Sequence, residues 1–152
     1  MISDISNLTI EKLLKEFLVL ILSFGTGIII ITYILNLPTK ITGNSDIVEE
    51  YYLKNFMTSI PADLFFVFVY FLIAGFVMKF FKIKENFDKL VIVALTTIML
   101  TGLACFYFRS NKLTNSFFSR WFHSVGYLSV VYDVILLCFI YACFLFIKNR
   151  LE

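Results

Sequence analysis

FLVLILSFGTGIIIITYILNL, residues 17–37, is a run of 21 residues without a charge. At a rise of about 1.5 Å per residue, a helix of this length matches the roughly 30 Å hydrocarbon thickness of a bilayer. Three further blocks repeat the pattern. Residues 60–81 keep an uncharged centre from Leu64 to Met78, with Asp63 and Lys79 at its rims. Leu90 to Phe108 holds 19 uncharged residues, and the 24 residues 124–147 are interrupted only by Asp133. The four blocks predict an all-α, polytopic membrane protein. It is read as one domain over residues 1–152, a four-transmembrane-helix bundle spanning at 17–37, 60–81, 90–108 and 124–147, with short interfacial helices between.

Composition agrees with the blocks. Of the 152 residues 60% are apolar and 16% charged, against roughly 25% charged in an average soluble domain, and the mean hydropathy is +0.89. The first block is longer than the apolar core of a signal peptide and no A-x-A-like site follows it, so a retained span is expected. A net charge of +2, with no basic stripe and no Gly-rich phosphate loop, disfavours nucleic acid as a partner. Cys105, Cys138 and Cys143 all fall inside expected spans without a C-x-x-C pair and read as apolar fillers.

Flanking Lys and Arg set topology. Lys12, Lys15, Lys79, Lys82, Lys84, Lys89, Lys148 and Arg150 fall on one side, eight in all; Lys40, Lys54, Arg109, Lys112 and Arg120 fall on the other, five in all. The excess predicts that both termini face the cytoplasm. On that topology the Asn7-Leu8-Thr9 sequon stays unmodified, and Thr9 is a candidate cap for a helix that extends span one backwards through residues 10–16.

The segments between spans carry signals of their own. After Pro38 and the Gly43-Asn44-Ser45 turn, Asp46 and Glu49 have the spacing of a capping-box variant. A short interfacial helix is expected there, with Val48, Tyr51, Tyr52 and Phe56 on one face and Glu49, Glu50 and Lys54 wet. Before the fourth span, Phe117, Phe118, Trp121 and Phe122 alternate with Arg120 and His123 in the manner of an interfacial aromatic belt.

Ionisable groups in hydrocarbon cost several kcal/mol, from roughly 2.5–3.5 at a span centre, so each requires a partner or a task. Asp133, nine residues after Ser124, is expected about 14 Å into its span, near mid-membrane. By the same arithmetic Tyr70, Thr97, Thr101 and Thr26 fall at that depth and predict one polar layer in which Asp133 bonds to Tyr70 and to Thr97 or Thr101. Gly25 and Gly27, flanking Thr26, permit close helix approach. Asp63, soon after Pro61, reads as first-turn helix chemistry, with His123 or Arg120 as alternative partners across the outer rim.

Enzymatic signatures are missing. There is one histidine, no H-E-x-x-H and no G-x-S-x-G, so no metal, cofactor or catalytic residue is assigned. Cys138 and Cys143 lie five apart, on different helix faces, which does not suit a quinone-linked disulfide enzyme. Neither a potassium-filter sequence nor a clear internal repeat is present.

The order Pro61-Ala62-Asp63, Tyr70, Ala94-Leu95-Thr96-Thr97, Thr101, Phe106-Tyr107 and Gly126 followed by Asp133 resembles that of small four-span membrane proteins encoded by large nucleocytoplasmic DNA viruses, a group of unestablished function. The likeness covers about residues 58–147, and Gly102 stands where that pattern places an acid directly after Thr101. A composition rich in Ile, Phe, Lys and Asn is in keeping with an AT-rich genome. The resemblance implies a viral context and no mechanism. The leading expectation is a non-enzymatic protein of the lipid bilayer that packs with itself as a homo-oligomer or with membrane-protein partners. The alternative is a small transporter or channel using Asp133 as a proton or cation site, and the two differ in whether a cavity reaches Asp133.

Overall fold

The computed structural model describes residues 10–151, so the sequon at Asn7 and the Thr9 cap lie outside the described residues. Seven helices and no strand occur among them. Four are long and apolar enough to cross a membrane: α1 (Ile10–Ile34), α4 (Phe56–Phe80), α5 (Asn86–Ser110) and α7 (Leu128–Leu151). Three short helices connect them: α2 (Leu37–Thr42), α3 (Ser45–Glu49, prolonged by π-helical turns over Glu50–Lys54) and α6 (Phe117–Val125).

The long helices are apolar around most of their circumference, the pattern of helices with no aqueous face. Phe65, Phe76, Leu95, Leu103, Phe106 and Phe146 all point outward and are exposed. Inside, α7 is the hub. It packs most extensively on α5 and next on α1, while α4 packs on α5 and only lightly on α1. The α1–α7 seam is tight because Gly27 lies against Ile140. A methyl at Gly27 would stand 2.4 Å from Ile140 Cγ1, whereas one at Gly25 meets nothing within 4 Å. Of these two, Gly27 is therefore the packing glycine.

Both ends of the described chain lie on one side of the bundle. Lys148 pairs with Glu16 at 3.1 Å, and Lys15 Nζ donates to the Leu151 carbonyl at 2.7 Å. At the opposite end Arg120 of α6 pairs with Glu50 beside α3.

Several boundaries differ from those expected. Residues 124–147 are not one span: α6 ends at Val125, Gly126 takes a φ of 62°, and α7 starts at Leu128. A left-handed glycine stops a helix at no steric cost, and Ser129 Oγ donates to the freed Gly126 carbonyl at 2.7 Å. α1 stops at Ile34 instead of residue 37, where Asn36 enters the left-handed region at φ 48° and Pro38 opens α2. α4 begins at Phe56, so Pro61 and Asp63 are interior to it and Asp63 is no first-turn acid. α3 is capped by Asn44, whose side chain accepts from Ile47 N at 3.3 Å, and not by the Asp46–Glu49 box. Nor does α3 lie flat on the bundle: Val48, Tyr51 and Tyr52 are buried within it, while Phe56 is exposed on α4.

α1 also changes pitch. From Ile28 to Ile34 it is wound as a π-helix, with Leu35 N bonded to the Ile30 carbonyl at 2.9 Å. The wound section carries Thr32, and the π turns of α3 carry Tyr51 and Tyr52.

The two neighbouring glycines of α1 respond to alanine with opposite signs. Gly25→Ala gains about 0.5–1 kcal/mol of helix propensity, while Gly27→Ala loses about 1–3 kcal/mol by overpacking against Ile140. Thermal unfolding of the purified protein in detergent measures both, and equal shifts would contradict the close approach.

Candidate functional site

Between α4, α5, α6 and α7, at the end that holds α3, lies a cavity of about 250 Å³. Asp63 and Asp133 both line it, and no Lys, Arg or His does. Each carboxyl has its own hydroxyl donor.

Thr101 Oγ1 donates to Asp133 Oδ2 at 2.9 Å and lies 3.0 Å from the Tyr70 hydroxyl. A threonine has one hydroxyl proton. With that proton committed to Asp133, Tyr70 donates to Thr101, and the sense of the chain is Tyr70 to Thr101 to Asp133. Tyr70 sits deep in α4, but side chains on a helix lean toward its N-terminus, which brings the hydroxyl up to the cavity. Asp133 is five residues after Leu128, about 8 Å along α7 from its start, nearer the α3 end than an unbroken span from Ser124 would place it.

Asp63 accepts from the Tyr51 hydroxyl, and its Oδ2 is buried with no hydrogen-bond partner among the described residues. Burial first, and then the neighbouring Asp63 carboxyl, push the Tyr51 phenol above its ordinary range, so it remains a donor. Tyr51 is held at the cavity by Ser59 Oγ, which donates to its carbonyl at 2.6 Å, and by ring contacts to Phe117 at 4.5 Å and Trp121 at 5.2 Å.

A second polar chain runs behind the first. The Tyr132 hydroxyl lies 2.9 Å from both Thr32 Oγ1 and the Tyr52 hydroxyl. Tyr33 of α1 donates to the Tyr52 carbonyl at 2.8 Å. Both π-helical stretches thus meet at Tyr132, and π turns recur at functional sites.

Aromatic rings of α6 close the cavity. Trp121 and Phe122 are buried, Phe118 meets Phe66 of α4 at 5.7 Å, and Phe122 stacks on Phe108 of α5 at 5.4 Å. The segment expected to be an interfacial belt is therefore also a wall of the site.

The remaining expected residues lie elsewhere. Thr97 is buried but its hydroxyl returns to the Val93 carbonyl, 2.8 Å away. Thr26 returns likewise to the Leu22 carbonyl, and Thr32 is the hydroxyl that α1 contributes. Neither outer-rim partner meets Asp63: Arg120 pairs with Glu50, while the two ring nitrogens of His123 lie 2.7 and 3.2 Å from the Ser119 and Asn111 carbonyls. Sequence reasoning missed Tyr51, Tyr52, Thr32 and Tyr132. The available signal was a polar residue directly before an expected site residue, as Tyr132 is to Asp133. No group of three or more His, Cys, Asp or Glu side chains able to hold a metal occurs among the described residues.

Two threonines on one face of α5 separate by role. Thr101→Val strands the Tyr70 hydroxyl and one Asp133 oxygen and lowers stability by about 1–3 kcal/mol. Thr97→Val, which loses only a bond within its own helix, stays within about 0.5 kcal/mol of wild type. Detergent unfolding curves decide it, and equal effects would remove Thr101 from its bridging place. No protein-family model, curated protein or solved structure matches this chain, so its function is argued from the cavity's chemistry.

Proposed function

We propose that the chain is a multi-pass membrane protein whose cavity binds a small organic cation, a protonated amine or a quaternary ammonium, as the binding step of a transporter. One observation carries the reading: two carboxyls share an aromatic-walled cavity that no basic side chain lines. Away from water an ionised carboxylate needs a compensating charge, and among the described residues neither Asp63 nor Asp133 has a basic partner. A ligand cation supplies it. The rings of Tyr51, Phe118 and Trp121 line the cavity, and a ring face turned to a desolvated cation adds about 0.5–2 kcal/mol to its binding.

Membrane association by packing alone leaves this arrangement without a reason. Interhelical glue is better served by a carboxyl whose oxygens are all paired, and Asp63 Oδ2 is not. An acid dyad of the shared-proton kind calls for two carboxyls bonded to each other, and these two bond to different hydroxyls. In the topology that accompanies the proposal the lysine-rich end with both termini is cytoplasmic and the cavity lies toward the opposite face.

Trp121 is the sole tryptophan and lines the cavity, so its fluorescence reports occupancy. Choline is expected to shift the emission saturably, and its neutral isostere 3,3-dimethylbutanol to bind at least tenfold more weakly, about 1.4 kcal/mol. Asp63→Asn and Asp133→Asn are expected to weaken choline by a similar factor, and to lower choline flux into proteoliposomes. Equal binding of choline and its isostere, or undiminished binding to both variants, would sink the proposal.

A further inference from the structure

A second concavity, of about 660 Å³, opens at the other end of the bundle between α4, the α4–α5 turn and α7. Its character is the reverse of the first. Lys79, Lys82, Lys84, Lys89 and Lys148 line it and no acidic side chain does. Lys148 is paired with Glu16 outside the cleft, while Lys82 and Lys84 have no acidic partner among the described residues. Below the lysines the floor is apolar, built from Phe71, Tyr141 and Phe144 around Gly75, where an added methyl would meet nothing within 4 Å. A basic rim above an apolar slot, at the end of spanning helices, complements a molecule with an anionic head and a hydrocarbon tail.

The turn that presents the rim is unusual in its sequence. Ile83 N bonds to the Met78 carbonyl at 2.9 Å and Lys82 N to the Lys79 carbonyl at 3.2 Å, the paired bonds of a Schellman motif. The residue at its left-handed position is Lys82, with φ 55°. Glycine is the usual occupant, since an L-residue there brings its Cβ too close to the backbone. Local folding would favour glycine at residue 82, and the sequence keeps a cation on the rim instead.

We propose that this cleft binds an anionic phospholipid, its phosphate held by the lysines and one acyl chain lying along the slot past Gly75. The site is independent of the cation cavity and survives or fails separately from it. A lysine near a membrane surface contributes about 1 kcal/mol to the capture of an anionic lipid, about fivefold in affinity.

The test uses the full chain purified in a neutral detergent, with lipid binding read as a shift in thermal unfolding during titration. Dioleoylphosphatidylglycerol is expected to bind at least tenfold more tightly than dioleoylphosphatidylcholine, and inorganic phosphate alone to give no shift at the same concentration. Lys82→Gly removes a charge while relieving the left-handed strain. It is expected to raise the lipid-free unfolding temperature and to weaken phosphatidylglycerol about fivefold, and adding Lys84→Gln takes the loss to about 25-fold. Gly75→Leu, which fills the slot and keeps every lysine, is expected to weaken the lipid as well. Equal binding of the two lipids, full binding by the lysine variants, or a shift produced by phosphate alone would each overturn the proposal. The last would leave a simple anion site. Undiminished binding by Gly75→Leu would overturn the place given to the acyl chain.

Discussion

The contact between Gly27 and Ile140 fixes how far α1 stands from α7, and much of the bundle follows from that distance. With the two backbones drawn together, the Thr32 hydroxyl reaches Tyr132, and Tyr132 in turn reaches Tyr52. Tyr52 belongs to the same turns as Tyr51, so placing one places the other, and Tyr51 is the donor to Asp63 of α4. A packing event in the apolar seam is thereby passed by hydroxyl groups to the carboxyl on the far side of the cavity. Each step is forced by the same rule, that a polar group away from water must be matched by another.

The two concavities divide charge between the ends of the molecule. Carboxyls with aromatic rings occupy one, lysines over an apolar slot the other. The separation is electrostatically sensible, because opposite charges within one dry pocket would pair with each other and leave nothing for a ligand. Where opposite charges do meet, they tie helices together: Glu50 and Arg120 do so outside both concavities, and Glu16 reaches Lys148 at the edge of the second.

Much of this architecture was legible in the sequence, and the failures have identifiable causes. The four long helices follow from runs of uncharged residues, a signal that depends on length and composition and survives any detail of packing. Tyr70, Thr101 and Asp133 were placed at one level by counting residues, and the structure joins them in one chain. Counting could not tell Thr101 from Thr97, since a threonine in a helix can equally bond to its own backbone. It also failed wherever the helix was interrupted. Gly126 divides a stretch that reads as continuously apolar, and its positive φ has no trace in hydropathy. Asp63 was assigned to a first turn because Pro61 commonly opens helices. The helix begins five residues earlier, at Phe56, and carries the acid inward. Tyr51 and Tyr52 looked like an interfacial face because nothing local records that a connecting helix folds back among the spans.

The π-helical turns at residues 28–34 and 50–54 give these stretches an unusual kind of constraint. A π segment holds an extra residue for the rise it covers, so the number of residues in it decides which side chain stands at each point of its surface. What is restricted there is the number of residues more than their identity. Ile29 faces outward and tolerates exchange for another apolar side chain, whereas a shortened 28–34 segment swings Thr32 away from Tyr132. In divergent copies of such a chain, the length of these two stretches would be kept while their letters drift.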